Sequence, residues 1–245
     1  MRALDVGLIG RGKWGSLIKN KLSKISNIKF IIGKKSKFDK LIKNHQVKWV
    51  FVVTPNNTHF KIVKKCLKMN TNVFCEKPLT TNYVSSKELY DIAKKNNVKL
   101  YVSDIYSFHK KKNFKLRKTN NIYRSKNVPG NNKEFLNRFM YHDLSILYKN
   151  IKNYKIKNIN FQKIKNKKIF QVNVLFKNKR ELCFNYNLQM NKKKHYINNV
   201  NLISKDDILK KMLKSVIYKK INFKKNEEKA LFILKFIENL KKRKL

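Results

Sequence analysis

Acidic residues are scarce in this chain: 14 Asp and Glu stand against 60 Lys and Arg, for a formal charge of +46. Taken alone, that charge points to nucleic acid or an anionic surface. However, the excess is mostly Lys, runs from end to end, and comes with abundant Asn and Ile and few Gly, Pro and Ala. This is the profile of AT-rich codons, and the chain shows no nucleic-acid recognition motif, so no specific nucleic-acid partner is expected. The charge still draws anionic ligands such as nucleotides and sugar phosphates toward any cleft. Cysteine is equally sparse. Cys66, Cys75 and Cys183 are odd in number and form no CxxC, which excludes a disulfide framework and a zinc site. Cys75 sits in an apolar stretch and reads as packing. His45, His59, His109, His142 and His195 show no metal-ligand spacing. No run approaches the roughly 20 apolar residues of a membrane helix. No apolar leader precedes the first strand, so a cytoplasmic location is expected.

What is present suffices for a core, since 42% of the 245 residues are hydrophobic. That length suits one large domain or two small ones. Residues 4–10 read as a short buried strand and 14–23 as a helix with Leu17, Ile18 and Leu22 at helical spacing. Strands are expected at 28–32, at the apolar stretch 47–53 (interrupted only by Lys48), at 72–75 and at 98–102. Helices are expected at 58–69 and, capped by Thr81, up to about residue 95. This alternation predicts a doubly wound parallel sheet with right-handed crossovers. The pattern changes after about residue 105. Residues 109–133 are rich in Lys and Asn, with a turn signal at Pro129-Gly130. A helix over 133–148 and strands at 155–164, 168–176 and 181–188 follow, then helices at 208–218 and 227–240. The expected division is a Rossmann dinucleotide-binding domain at 1–105. A smaller α+β domain with an open, mainly antiparallel sheet then occupies 106–245.

Three segments carry chemistry. Gly10-Arg11-Gly12-Lys13-Trp14-Gly15 fits G-x-G-x-x-G between a strand and a helix. Gly10 permits the tight turn, Gly12 lets a pyrophosphate approach the backbone, and Gly15 lets the helix pack on the strand. The helix N-terminus, with Lys13 and Trp14 beside it, then faces the phosphates. NAD-specific sites carry an acid after the second strand. Here no Asp or Glu occurs between Ile28 and Phe38, and Gly33-Lys34-Lys35-Ser36 stands in its place. Lys34, Lys35 and Ser36 are candidates for a 2′-phosphate, which tilts the expected cofactor from NAD toward NADP. The third segment, Val73-Phe74-Cys75-Glu76-Lys77-Pro78, delivers a Glu and a Lys at a strand end, where open α/β sheets bind ligands.

Together with Thr54-Pro55-Asn56-Asn57-Thr58-His59, these segments resemble the Gfo/Idh/MocA family of oxidoreductases. The similarity is dense over residues 4–103. Beyond that it rests chiefly on His142-Asp143-Leu144-Ser145-Ile146-Leu147, which resembles a segment of members acting on nucleotide-linked amino sugars. The resemblance implies hydride transfer between a nicotinamide and a sugar or nucleotide-sugar carbon. Thr54, Pro55, Asn57 and His59 would border the cofactor, and Glu76 and Lys77 would lie near its nicotinamide ribose. Lys77 would hydrogen-bond the reacting oxygen, and His142 would be the general acid/base. For His59 a structural place at the helix start is the favoured alternative, and for His142 a helix histidine satisfied by Asp143 or the backbone. Tyr106 and His109 are candidates to line the cleft. A homo-oligomer built through the C-terminal sheet is also implied, with no membrane partner.

Two departures stand out. Many members carry an Asp four residues before the catalytic His, where this chain has Arg138. A cation there disfavours a protonated His142. The second domain is also short against a yardstick of about 150 residues per domain. Both departures leave open a second reading, a non-catalytic nucleotide-binding protein.

Overall fold

A computed structural model describes residues 3–33, 38–110, 114–127, 139–164, 167–204 and 206–244. The chain forms two compact units, Met1–Phe108 with Asp207–Lys235, and His109–Asp206 with Phe236–Leu245.

The first unit alternates strands and helices. These are β1 (Asp5–Ile9), α1 (Lys13–Leu22), β2 (Asn27–Ile32), α2 (Phe38–His45), β3 (Trp49–Val52), α3 (Asn56–Lys68), β4 (Asn72–Cys75), α4 (Tyr83–Lys95) and β5 (Leu100–Val102). A 3-10 turn, Ile105–Phe108, follows. The sheet is parallel throughout, in the order β2-β1-β3-β4-β5. All five expected strands are present, while α2 is an element the sequence pattern does not single out. Asn82 rather than Thr81 caps α4, its side chain accepting from Ser85 N at 2.8 Å.

β3 is buried at all four residues, as its apolar run requires. Register places Leu8, Phe51, Phe74 and Tyr101 in one row across four strands. The rings of Phe51 and Phe74 lie 5.1 Å apart and those of Phe74 and Tyr101 5.9 Å. Each such pair adds about 0.5–1.5 kcal/mol beyond burial. The remaining cover on this core comes from the far end of the chain. α6 (Ile208–Ile217) buries Leu209, Met212, Leu213, Val216 and Ile217 in the same cluster as Ile18 and Leu22 of α1. The first residues of α7 (Phe223–Lys244) follow it. The side chain of Asn226 accepts from the N–H of Val102 at 2.9 Å and donates to its carbonyl at 3.0 Å. It thus occupies the open edge of β5 as a further strand would. A single cut at 105/106 does not anticipate this return, because α6 looks like any amphipathic helix until its partner is known.

The second unit has β6 (Thr119–Ser125), α5 (Tyr141–Ile151), β7 (Ile156–Lys163), β8 (Ile169–Phe176), β9 (Glu181–Asn187), β10 (Lys194–Ile197) and β11 (Val200–Asn201). The sheet order is β11-β10-β6-β9-β8-β7. Only the β6–β9 pair is parallel. Strict alternation in β8 buries Phe170, Val172, Val174 and Phe176 on one face. β6, β10 and β11 lie outside the strands expected from the sequence, since their polar residues hide the period. The start of the expected 133–148 helix and the Pro129-Gly130 turn lie outside the described residues.

Candidate active site

Strand order 2-1-3-4-5 places the topological switch point between β1 and β3, where open α/β sheets bind ligands beyond the strand ends. Backbone hydrogen bonds carry the ladder past each strand into the adjoining loops. Gly10 N donates to Ile32 O at 2.8 Å, Val53 N to Ile9 O at 2.8 Å, and Glu76 N to Val52 O at 2.9 Å. The loops that bear the motifs therefore start from a rigid edge.

Gly10 has φ +129°, and a Cβ on it would lie 2.2 Å from the carbonyl oxygen of Val53. A Cβ on Gly15 would lie 2.3 Å from the carbonyl oxygen of Gly10, so the start of α1 rests directly on the turn. Gly12 is the N-cap of α1, no side chain among the described residues caps it, and a Cβ there would meet open space. The free N–H groups of the first turn and that open space fit a diphosphate. Lys13 and Trp14 follow, both exposed. A cleft of about 360 Å³ lies beside the turn, lined by Gly10, Arg11, Gly15, Ser16, Lys19 and Ile31. Arg11 was not among the residues singled out from the sequence. It donates from Nη2 to the carbonyl of Ile31 at 2.7 Å, which sets its guanidinium at the C-terminal end of β2. Only the tertiary fold brings residues 11 and 31 together. Lys34, Lys35 and Ser36 lie outside the described residues, as does Arg138.

Beyond β3, Thr54 is partly buried, while Pro55 and Asn57 are exposed at the start of α3. The Thr58 hydroxyl lies 2.7 Å from those of Thr54 and from the Pro55 carbonyl, fixing the loop. His59 is fully buried, with Nδ1 2.9 Å from the carbonyl of Pro78 and Nε2 2.8 Å from that of Thr54. Its ring joins the loop after β3 to the loop after β4. It therefore braces the two loops, the structural place at the helix start weighed against a cofactor contact. Beyond β4, Glu76 is buried. One carboxylate oxygen accepts from Lys77 N at 3.3 Å, and the other has no hydrogen-bond partner among the described residues. An orphaned buried carboxylate oxygen at a strand end fits a ligand hydroxyl. Lys77 is half-buried and precedes a cis peptide to Pro78. Cys75 is buried, and burial pushes its thiol well above 9.0, as suits a packing residue. The described residues contain no group of His, Cys, Asp and Glu that could hold a metal. Among them no helix is long and apolar enough to cross a membrane.

In the second unit, His142 is half-buried in the first turn of α5. The carboxylate of Asp143, the next residue, accepts from Arg124 Nη1 at 3.3 Å and Tyr186 OH at 2.8 Å and lies 2.7 Å from His195 Nε2. Burial opposes ionisation of Asp143, yet His195, Arg124 and these hydrogen bonds hold its pKa below the ordinary 3.8. Burial lowers His195 below 6.5 against the pull of Asp143, so at neutral pH the ring is neutral and donates from Nε2. Burial also raises Tyr186 well above 10.0, keeping it a donor. Tyr106 and His109 are both buried.

These shifts set a pH dependence. Below pH 6.5 the unfolded chain protonates residue 195 while the folded chain resists, so stability falls as the pH drops toward the lower folded value. The Asp143 contribution is present above 3.8 and is lost only as the pH falls through its still lower folded pKa. The thermal midpoint should therefore decline between pH 6.5 and 3.8, and less steeply in His195→Gln. Parallel declines in the two proteins would contradict this.

Residues 17–104 match the family described as "Oxidoreductase family, NAD-binding Rossmann fold", GFO_IDH_MocA. This part of the chain is similar to the Gfo/Idh/MocA family. A stretch of 73 residues is 40% identical to an uncharacterized oxidoreductase of Streptococcus pneumoniae, covering 30% of this chain and 20% of that protein. The chain thus aligns with a fifth of that relative's length. Among solved structures, the UDP-N-acetylglucosamine 3-dehydrogenase of Acidithiobacillus ferrooxidans superposes with a TM-score of 0.74 at 14% identity, over 99% of this chain and 97% of that one. An inositol dehydrogenase homolog of Azotobacter vinelandii, complexed with NADH and myo-inositol, gives 0.65 at 14% identity, over 80% and 67%. At these identities the likeness is one of fold. It shows that the fold of this chain recurs in those structures.

Proposed function

We propose that the protein is an NAD(P)-dependent oxidoreductase acting on a sugar or nucleotide-sugar carbon. One observation carries the reading: the glycine cradle follows β1, and the orphaned Glu76 oxygen and Lys77 follow β4, so all stand at C-terminal strand ends of one parallel sheet with only β3 between them. When bound, the nicotinamide supplies hydride acceptance or donation. The first turn of α1 holds the diphosphate through its N–H groups, with Lys13 and Trp14 flanking it. Thr54, Pro55 and Asn57 border the dinucleotide, and Glu76 accepts from a ribose hydroxyl. Lys77 hydrogen-bonds the reacting oxygen, and His142 holds or releases the proton of that oxygen. The basic surroundings favour a phosphate-bearing substrate, and the likeness of residues 142–147 to members acting on nucleotide-linked amino sugars supports the same class.

NADP is favoured over NAD. No acid follows β2, and Arg11 brings a cation to that strand end, alongside Lys34, Lys35 and Ser36 in the sequence. A homo-oligomer through the second unit's sheet is supported by its less buried face. There Asn160, Asn173, Cys183 and Asn121 form one cross-strand row, and Gln162, Gln171, Asn185 and Tyr123 another. Both rows are free of charge in a chain of +46, so two copies could meet there without repulsion.

Titration of NADPH and NADH, followed by nicotinamide fluorescence, tests the reading. Both should bind, NADPH more tightly, and Arg11→Ala should narrow the difference by about tenfold, the worth of one lost charged contact. Binding of neither at millimolar concentration would remove the enzyme reading. Binding without turnover across a panel of sugar nucleotides would favour the non-catalytic alternative.

A further inference from the structure

Asp143 and the three residues that bond it, Arg124, Tyr186 and His195, have no part in the chemistry proposed above, yet they form a heavily bonded buried polar cluster in the second unit. Asp143 is fully buried, Arg124 is 8% exposed, His195 1% and Tyr186 0%. Their donors come from β6, β9 and β10, which are neighbours in the sheet. Arg124 Nη1 also donates to the carbonyl of Phe139 at 3.3 Å, and its guanidinium lies 5.2 Å from that residue's ring. The same side chain thus holds both the first turn of α5 and Phe139, two residues before the helix begins.

A buried ion pair seldom stabilises more than a well-packed apolar cluster of the same volume. What it does better is enforce one arrangement. An apolar side chain tolerates sliding over its neighbours, whereas a carboxylate with three fixed donors accepts one position. Asp143 lies in the first turn of α5, directly after His142. Successive side chains on a helix diverge by about 100°. Once Asp143 is locked toward the sheet, the direction of the Cα–Cβ bond of His142 follows. His142 correspondingly remains half-buried while its neighbour is wholly covered.

We propose that Asp143, held by Arg124, Tyr186 and His195, is a positioning residue that orients His142 for proton transfer. This rests on reading His142 as the acid/base group. The test is the histidine-ring NMR spectrum of full-length, ¹⁵N-histidine-labelled protein, with Tyr186→Phe and Asp143→Asn. Tyr186→Phe deletes one hydroxyl and keeps the packed ring. Both variants should melt cooperatively, and in both the His142 ring resonances should shift and broaden or split as the ring samples more than one orientation. A merely structural cluster would lower the melting temperature and leave the His142 resonances where they are in the wild type; that result overturns the proposal. Should Asp143→Asn fail to fold, Tyr186→Phe decides on the same spectrum. The readout needs no cofactor. A chain that binds neither NADH nor NADPH would end the dehydrogenase reading without moving it, and an unchanged His142 spectrum with intact dinucleotide binding would remove only the positioning role.

Discussion

Gly15→Ala should destabilise the first unit by about 3 kcal/mol or more, while Gly12→Ala should change stability by less than about 1 kcal/mol. The order reverses for the ligand: Gly12→Ala should weaken NADH and NADPH by about tenfold or more, equivalent to about 1.4 kcal/mol. The contrast follows from where each missing Cβ would go. At Gly15 it would strike the backbone carbonyl of Gly10 at 2.3 Å, and neither α1 nor β1 can withdraw without breaking the sheet edge. At Gly12 it would enter empty space at the cap of α1, where the diphosphate is proposed to lie. Urea unfolding gives the first quantity, and dinucleotide titration gives the second. Wild-type stability for Gly15→Ala would mean that helix and turn are not in contact. Wild-type affinity for Gly12→Ala would mean that no dinucleotide passes over that residue.

Lys77→Ala should lower turnover by about 10²–10⁴-fold, the range for losing a group that handles the proton of the reacting oxygen. Dinucleotide affinity should change little, because the contacts proposed for the phosphates come from α1 and not from the loop after β4. The sugar-nucleotide panel supplies the substrates to try. Nicotinamide absorbance reports turnover, and equal rates for variant and wild type would take Lys77 out of the chemistry. A variant that loses dinucleotide affinity instead would move Lys77 from the reacting oxygen to the cofactor.

The Rossmann half was legible because its signals are local. A glycine turn, an apolar run and a strand ending in Glu76-Lys77-Pro78 each span a few residues, and their spacing gives the strand sequence directly. Six glycines occur in the whole chain, and three of them stand between residues 10 and 15. Elsewhere Asn70, Asn97 and Asn198 take the left-handed positions that Gly commonly fills. That concentration marks a turn whose glycines are required by close approach and not by a loose loop. The second unit was less legible. β6 carries Thr119-Asn120-Asn121 before its first buried apolar residue, Ile122, and its neighbours in the sheet are β9 and β10, some 60 to 75 residues later. No window of a dozen residues holds such information. The role of His59 was open for a related reason: its two carbonyl partners belong to Thr54 and Pro78, and only folding makes them adjacent.

By itself the sequence determined the parallel α/β order, the position of the glycine turn and the placing of Glu76 and Lys77 at a strand end. These follow from side-chain period and backbone sterics, which act over short stretches. Tertiary structure alone decided four things: that Arg11 reaches β2, that Asn226 closes the edge of β5, that α6 completes the first core, and that Asp143 is gripped by three strands. Each joins residues far apart in the chain, and a hydrogen bond or a packed face between such residues exists only once the backbone has brought them within reach.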